Sequence, residues 1–266
     1  MRGVNDEDPE HDATVDGVAQ DNAAARYRAW AQGLLAHLDS GKLPRGEEHP
    51  CAYLPGQIAR SQAFRILQLD GDTYHELMDR GFRRAGDMFY AMACENCRKC
   101  EPIRVPVQTF VPSRSQVRAQ RRCADVTMRV QRPTMCAETW DLYQRYVRHQ
   151  HPDTPLDETP EKVIEWLYKP VVDTYEVTYH LADRLVAVSI LDVCQSSVSG
   201  VYHFFDPAEH KRSLGVFSVL AEIEWAKQLG IPYYYLGYWI EGAPTMHYKA
   251  NYGPHEVLRE GRWQSP

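Results

Sequence analysis

Residues 214–240 read LGVFSVLAEIEWAKQLGIPYYYLGYWI and contain a helix signal followed directly by a strand signal. Between Leu214 and Leu229 the apolar residues recur mostly on one helical face, and Gly230 is typical of a helix C-terminus. From Ile231 to Ile240 the residues are almost all apolar or aromatic, which is typical of a strand buried on both faces. We therefore predict a long helix leading into a central strand.

Strand patterns precede this helix. Residues 175–193 alternate around a turn at 182–184 and predict a hairpin, and residues 199–205 predict a further strand. Residues 103–107 also alternate, and Pro106 among them indicates an edge strand. Helical spacing adds helices over 23–40, 115–123 and 139–150. The fold class predicted is α+β.

Composition restricts the class of protein. The chain has 266 residues, 44% of them hydrophobic, and a mean hydropathy of -0.52, which is typical of a globular protein rather than a membrane-spanning one. The N-terminus has no apolar region of the kind found in secretory signals. Seven cysteines is an odd number, so thiols or metal ligands are favoured over a disulfide framework. We expect a cytoplasmic enzyme or binding protein with no membrane association.

Charge is distributed unevenly along the chain. The net charge of -6 conceals an acidic N-terminus and a basic segment, residues 80–132, with twelve Arg or Lys against four Asp or Glu. We predict that residues 1–21 form a disordered acidic tail. The basic segment is the composition expected of a polyanion-binding surface, although a solvated basic face has the same composition.

Four arginines in this segment have helical spacing. Arg114, Arg118, Arg121 and Arg122 fall at i, i+4, i+7 and i+8, so a helix would place them on one face. Arginine suits bidentate contact with phosphate. Tyrosines and tryptophan between residues 233 and 252 would stack unpaired nucleobases if exposed, or face the core in part.

The cysteines form one cluster in sequence. Residues 94–100 read CENCRKC, so Cys94, Cys97 and Cys100 are spaced to converge on one soft cation. Residue 104 is Arg rather than a fourth cysteine, which leaves Cys51 as the candidate fourth ligand. The site would hold structural zinc or an iron–sulfur cluster, and the alternative is a set of metal-free thiols.

A series of short motifs runs in order along most of the chain. They are CAYLPG (51–56), GFRRAG (81–86), the cysteine run with RVPV (104–107), PSRSQ (112–116), FDP (205–207), SLG (213–215), YLGYWI (235–240) and MHYK (246–249). With these motifs the chain resembles the aminoacyl-tRNA–protein transferases. The resemblance extends to the eukaryotic arginyltransferases and, more closely, to the bacterial leucyltransferases that modify N-terminal Asp and Glu.

The resemblance implies an architecture and a reaction. It implies a smaller cysteine-containing N-terminal domain, residues 22–125, and a GNAT-like C-terminal acyltransferase domain, residues 126–266. It also implies transfer of an aminoacyl group, leucyl first and arginyl as the alternative, from charged tRNA to proteins that begin with Asp or Glu, which creates a degradation signal. The chemistry requires no cofactor.

Site residues follow from the matched motifs. The resemblance places Tyr238, Tyr248 and Lys249 near the aminoacyl ester and Asp206 at the reaction cleft. Asp206 would orient or deprotonate the acceptor amine, and Lys249 would hold a phosphate or an oxyanion. Arg114, Arg118, Arg121 and Arg122 would bind the tRNA acceptor end. The alternative is that Asp206 and Pro207 form only a turn.

The chain departs from the family pattern near this region. Family members usually carry a cysteine and a lysine where this chain has Ala243 and Thr245, and an arginine where it has Gly253. Changed specificity or an inactive RNA-binding homologue would each account for these differences. A GNAT-like enzyme using acetyl-CoA is disfavoured, because residues 210–215 contain a single glycine and lack the pyrophosphate-binding loop.

Overall fold

The computed structural model describes residues 12–150, 152 and 159–266, with side chains from residue 22 onward. The chain divides after residue 43 into two compact units, which are described separately. The first unit contains helix α1 (Asp12–Asp39). Residues 1–11 of the predicted acidic tail lie outside the described residues, and α1 begins within the remainder of that tail.

The second unit contains the other helices and the strands. The helices are α2 (Gly71–Asp79), α3 (Arg114–Arg122), α4 (Ala137–Gln150), α5 (Pro160–Val163), α6 (Leu214–Gln228) and α7 (Pro244–His247). The strands are β1 (His49–Pro50), β2 (Ile58–Ala59), β3 (Ser61–Arg65), β4 (Arg83–Ala85), β5 (Met88–Met92), β6 (Cys100–Pro106), β7 (Val126–Gln131), β8 (Thr174–Leu181), β9 (Arg184–Val193), β10 (Ser197–Phe205), β11 (Tyr233–Ile240), β12 (Glu256–Arg259) and β13 (Arg262–Gln264). Shorter helical turns cover Val107–Thr109, Ile164–Tyr168, Pro207–Arg212 and Tyr248–Asn251. The α+β class predicted from the sequence is confirmed.

An eight-stranded sheet organises this unit. Its order is β13-β12-β6-β11-β10-β9-β8-β7, and its pairings are antiparallel except that of β10 with β11. A parallel pair needs a crossover connection, which α6 supplies between these two strands. The predicted helix and central strand at residues 214–240 are therefore α6 and β11.

The parallel pair is short. It joins Ser197–Ser199 of β10 to Tyr233–Tyr235 of β11. Just beyond it, β10 shifts its register with β9 between Gly200 and Tyr202, and β11 shifts its register with β6 between Tyr235 and Gly237. Bulges of this kind bend a strand, and the pairing of β10 with β11 ends where they begin. The two strands therefore part within the sheet, and their remaining residues border an opening between them.

Strand β6 corrects the sequence-based expectation of an edge strand over residues 103–107. It lies between β11 and β12. Strand β12 pairs with β6 only at Ile103 and Arg104, so Pro102 and Pro106 stand outside that ladder and need donate no hydrogen bond to it. Proline fits a partly paired interior strand as well as an unpaired edge strand, so its presence alone does not distinguish the two.

Both faces of the sheet are covered by helices. Leu220 and Ile223 of α6 pack in one buried cluster with Ala187 of β9. On β9, Val188 belongs instead to a second cluster, which contains Leu142 of α4. Strands with helices on both faces read as continuous apolar runs, as β9 does. No described helix is long and apolar enough to cross a membrane.

A small sheet of order β3-β5-β4 is tied to the large sheet through a buried ion pair. Arg84 of β4 donates from Nε to an Asp192 oxygen of β9 over 2.6 Å, and both side chains have 0% exposure. The guanidinium also donates to Thr174 Oγ1 over 2.9 Å. Since β6 also joins the large sheet, segments on both sides of residue 125 share one compact unit, and the division into domains 22–125 and 126–266 stays a prediction.

This ion pair yields a stability prediction. Replacing Asp192→Asn leaves the Arg84 charge buried without its counter-ion, so we expect the free energy of unfolding to fall by about 3–5 kcal/mol. Urea unfolding measures this difference. The control is Asp173→Asn, because Asp173 pairs with Arg132 at the surface, where removing an ion pair has little effect. Equal destabilisation of both variants would contradict the expectation.

Candidate active site

Arg83 lies where β10 and β11 part. Its strand, β4, directs the guanidinium onto β10, where it donates to Ser199 Oγ over 2.9 Å and to the main-chain oxygen of Gly200 over 2.6 Å. The residue is buried, with 8% exposure. Ser199 is the last residue of β10 in the parallel pair, so Arg83 binds the strand at its point of departure from β11.

Lys249 approaches the same point from the other strand. It belongs to the turn Tyr248–Asn251, is 8% exposed, and donates from Nζ to the main-chain oxygen of Tyr238 on β11 over 2.9 Å. Burial, and then the nearby Arg83 charge, lower the pKa of the Lys249 ammonium to about 7. The group therefore changes charge near neutral pH.

Tyr238 and Tyr248 differ in their surroundings. The Tyr238 hydroxyl is buried and donates to the main-chain oxygen of Gly81 over 2.8 Å, and burial raises its pKa above the usual value. This hydroxyl stays protonated near neutral pH and holds β11 against the segment before Arg83. Tyr248 is 45% exposed and stands at the surface beside Lys249. The structure thus brings Lys249 into contact with Tyr238, with Tyr248 adjacent to Lys249 in the chain, and their position near the aminoacyl ester stays a prediction.

Asp206 has a different environment. It is buried at the end of β10 and accepts hydrogen bonds from Arg145, Arg184 and the main-chain nitrogen of Ala208, at 2.8, 2.6 and 3.0 Å. Burial raises the pKa of its carboxyl, but these donors outweigh burial and the net shift is downward. A carboxylate held ionised by two arginines is a weak base. The described residues show no hydrogen bond between Asp206 and Tyr238, Tyr248 or Lys249, so its role in the reaction stays a prediction.

Glu222 is a buried carboxyl that sequence reasoning missed. It lies on α6 and accepts hydrogen bonds from the hydroxyls of Tyr179, over 2.7 Å, and Tyr234. Burial raises the pKa of Glu222 despite these bonds, which favours its neutral form. Gly200 makes room for this group, because a Cβ there would lie 2.9 Å from the Tyr234 hydroxyl. The available signal was an acidic residue between Ala221 and Ile223 on the apolar side of the predicted helix.

The predicted arginine face is present on α3. Ser113 caps this helix with a reciprocal bond to Gln116, whose side chain is buried. All four arginines, Arg114, Arg118, Arg121 and Arg122, are exposed. Arg122 donates to Ser213 Oγ over 2.8 Å, whereas the other three form no ion pair among the described residues. Gln116 also donates to the main-chain oxygen of Asn251 over 3.2 Å, which connects α3 to the turn that carries Lys249.

The four cysteines proposed as metal ligands lie near one another. Burial, and then the nearby Cys94, Cys51 and Cys97 thiols, raise the pKa of Cys100 to about 12. Cys94 is also hydrogen-bonded to the main chain of Arg60. Within the described residues, however, no three His, Cys, Asp or Glu side chains are placed to hold a metal ion. The described thiols therefore form no ready-made metal site, and metal binding at these four cysteines stays a prediction.

Other site residues were missed or depart from the family pattern. Arg83 lies inside the motif at residues 81–86, so the motif itself was the available signal, whereas no pattern indicated Arg145 or Arg184. Ala243, at a departure from the family pattern, is fully buried before α7. Thr245, at another departure, is exposed on α7, and Gly253 is half-buried.

The lowered pKa of Lys249 predicts a pH effect on stability. Above pH 7 the ammonium is neutral in the folded chain and still charged in the unfolded chain, so folding no longer buries a charge and stability rises with pH up to about 10. We expect the free energy of unfolding of the wild type to rise relative to that of Lys249→Met as the pH increases from 6 to 9, as measured by urea unfolding. Lys227→Met removes an exposed ammonium and serves as the control. A constant difference between the wild type and Lys249→Met would contradict the buried, cationic environment.

Solved structures show a distant likeness. L-PGS from Bacillus licheniformis matches with a TM-score of 0.43 and 13% identity, covering 66% of this chain and 52% of that one. A GCN5-related N-acetyltransferase from Kribbella flavida matches with a TM-score of 0.32 and 13% identity, covering 63% and 60%. The likeness is too distant to bear on function.

Sequence relatives are much closer. An aspartate/glutamate leucyltransferase from Pseudomonas savastanoi pv. phaseolicola is 38% identical over 82% of this chain and 93% of its own length. One from Thiobacillus denitrificans is 40% identical over 82% and 92%. The family models described as arginine-tRNA-protein transferase, N terminus and C terminus, match residues 49–118 and 138–259. With matches over most of its length, the chain belongs to the family of aminoacyl-tRNA–protein transferases.

Proposed function

We propose that this enzyme transfers a leucyl group from leucyl-tRNA to the N-terminal Asp or Glu of acceptor proteins and so marks them for degradation. The observation that carries the proposal is the 38–40% identity to aspartate/glutamate leucyltransferases over more than nine tenths of their length. Arginyl transfer is the second candidate, since the matching family models are described by that activity. Charged tRNA is a cytoplasmic substrate, so we expect the enzyme in the cytoplasm.

The reaction makes modest chemical demands. The acceptor α-amine attacks the ester carbonyl, an N–C bond forms, the ester C–O bond breaks, and the tRNA hydroxyl leaves with a proton while the amine loses one. The ester is already activated, so positioning two large substrates supplies most of the catalysis. The α-amine has a pKa of about 7.7–8.0, so a strong base is unnecessary. This chemistry draws on no cofactor, and a metal at Cys51, Cys94, Cys97 and Cys100 would be structural.

Two surfaces suit these two substrates. The exposed arginines of α3 offer guanidinium groups to the phosphates of the tRNA acceptor end. The opening between β10 and β11, with Lys249 and Tyr238 at its start and Tyr248 beside them, is where the ester would meet the acceptor amine. The bond from Gln116 to Asn251 connects the helix that carries one surface to the turn that borders the other.

A transfer assay tests the proposed function. We expect leucyl-tRNA to add a leucine-sized mass to peptides that begin with Asp or Glu and none to a peptide that begins with Ala. Mass spectrometry of the peptides is the measurement, and arginyl-tRNA is run in parallel. An arginine-sized gain would replace the leucyl proposal with the second candidate.

Because the chain departs from the family pattern at Ala243, Thr245 and Gly253, an absence of transfer from both charged tRNAs would also be informative. If the purified chain binds tRNA but neither tRNA yields product, the chain is an inactive RNA-binding homologue. A control reaction with an active aspartate/glutamate leucyltransferase confirms that the charged tRNA and the peptides are competent.

The arginine face yields a separate prediction. Replacing Arg114, Arg118 and Arg121 together by Ala removes three exposed cations, so we expect weaker tRNA binding and a shallower dependence on salt. The slope of log affinity against log salt concentration should decrease by about 0.7 to 0.9 for each phosphate that the variant no longer neutralises. Filter binding over a range of salt concentrations measures it. Arg262→Ala, at an exposed position on β13, is the control. An unchanged slope would mean that α3 does not contact phosphate.

A further inference from the structure

Arg83 and Lys249 form a buried pair of basic side chains without an acidic partner. Among the described residues, no hydrogen bond or ion pair joins either side chain to a carboxylate. Arg83 donates only to Ser199 Oγ and the Gly200 oxygen, and Lys249 only to the Tyr238 oxygen. Elsewhere in the described residues, buried arginines such as Arg84 and Arg104 are paired with acids. Buried charges are normally paired, so this exception points to an anion that comes from outside the chain.

The two donors face one position on β11. Gly237 has a φ of +90° and no side chain, and a Cβ built there would lie 3.4 Å from Lys249 Nζ and 3.6 Å from Arg83 Nε. Arg83 Nε donates to no described acceptor, and the Lys249 ammonium has three hydrogens with one described partner. The unused donors therefore converge on the space beside Gly237.

The burial of these two side chains restricts the kind of anion. Arg83 and Lys249 are each only 8% exposed, so they are not placed to bind a polymeric phosphate backbone, which needs an open surface, and the anion they would bind is a small one such as a single carboxylate. The exposed arginines of α3 already provide such a surface. The pair also stands where β10 and β11 part, beside Tyr238, which the matched motifs place near the aminoacyl ester.

We infer that Arg83 and Lys249 bind the side-chain carboxylate of the acceptor's first residue and so select Asp and Glu. This inference rests on the proposed function. An anion between the two cations would relieve their mutual repulsion and make charge-assisted hydrogen bonds with both. Binding the first side chain here would also hold the adjacent α-amine at the opening where the ester is attacked.

The test compares a peptide that begins with Asp with a peptide that begins with Asn, which has the same shape and no charge. The preference for Asp over Asn is measured as the ratio of kcat/KM in leucyl transfer by the wild type, Lys249→Met and Lys227→Met. We expect Lys249→Met to reduce this ratio about tenfold or more, mainly by raising KM for the Asp peptide. Lys227→Met, at an exposed position on α6, should retain the wild-type ratio. A general structural defect would lower kcat/KM for the Asp and Asn peptides by the same factor. A ratio in Lys249→Met equal to that of the wild type would therefore overturn the inference.

A binding measurement separates this inference from the proposed function. Fluorescence anisotropy of labelled Asp and Asn peptides requires no transfer, so it decides the site even if the wild type yields no product. Tighter binding of Asp than of Asn, abolished in Lys249→Met and retained in Lys227→Met, supports the site. An equal affinity of the wild type for both peptides overturns it. Weaker tRNA binding by Lys249→Met with an unchanged preference for Asp would overturn it in favour of a phosphate site.

Arg83 provides a second variant in case Lys249→Met fails to fold. Arg83→Lys retains a cation and one of the two bonds to β10 but loses the Nε donor beside Gly237. We expect a several-fold lower preference for Asp over Asn in this variant. A preference equal to that of the wild type would exclude Arg83 from the site.

Discussion

The parallel pairing of β10 with β11 over only three residue pairs is the constraint on which the rest of the unit depends. Helix α6 supplies the crossover that connects these two parallel strands, and it carries the buried Glu222. Gly200 leaves space for the hydroxyl of Tyr234, which bonds Glu222. Once the strands part, main-chain groups that a continued ladder would use become available to side chains. Arg83 takes the oxygen of Gly200 on one strand and Lys249 that of Tyr238 on the other.

Charge is distributed in opposite ways at the two ends of β10. At its far end one buried carboxylate, Asp206, is surrounded by two arginines, which lower its pKa and use its acceptor sites. At the end where β10 leaves β11, two buried basic side chains have no acidic partner. The first arrangement is internally satisfied and contributes to structure. The second is incomplete by itself, and buried charge that is left incomplete costs stability unless a ligand completes it. This asymmetry is why the acceptor's carboxylate is assigned to Arg83 and Lys249, and proton removal is not assigned to Asp206.

Sequence patterns predicted the elements whose periodicity is strong. The helix at residues 214–229, the central strand at 231–240 and the hairpin at 175–193 are α6, β11 and the β8–β9 pair. The interior position of β6 could not be predicted, because proline indicates a missing donor and not which neighbour lacks the pairing. Glu222 and Arg83 were missed for a related reason. A buried charge inside an apolar pattern has a meaning only when its partners, which lie far away in sequence, are known.

The position of α3 bears on how the two proposed substrates, the charged tRNA and the acceptor protein, would meet at one small site. Its arginines face outward, while Gln116 on the opposite side of the helix is buried and bonds Asn251, two residues beyond Lys249. If the arginines bind the tRNA as proposed, the bond from Gln116 connects the tRNA site to the turn that carries Lys249. If the acceptor's carboxylate lies between Lys249 and Arg83, the two substrates are positioned from the two sides of one short, hydrogen-bonded segment. Such positioning is the main demand of a reaction whose ester is already activated, and it requires rigidity between the two binding surfaces more than it requires a strong base.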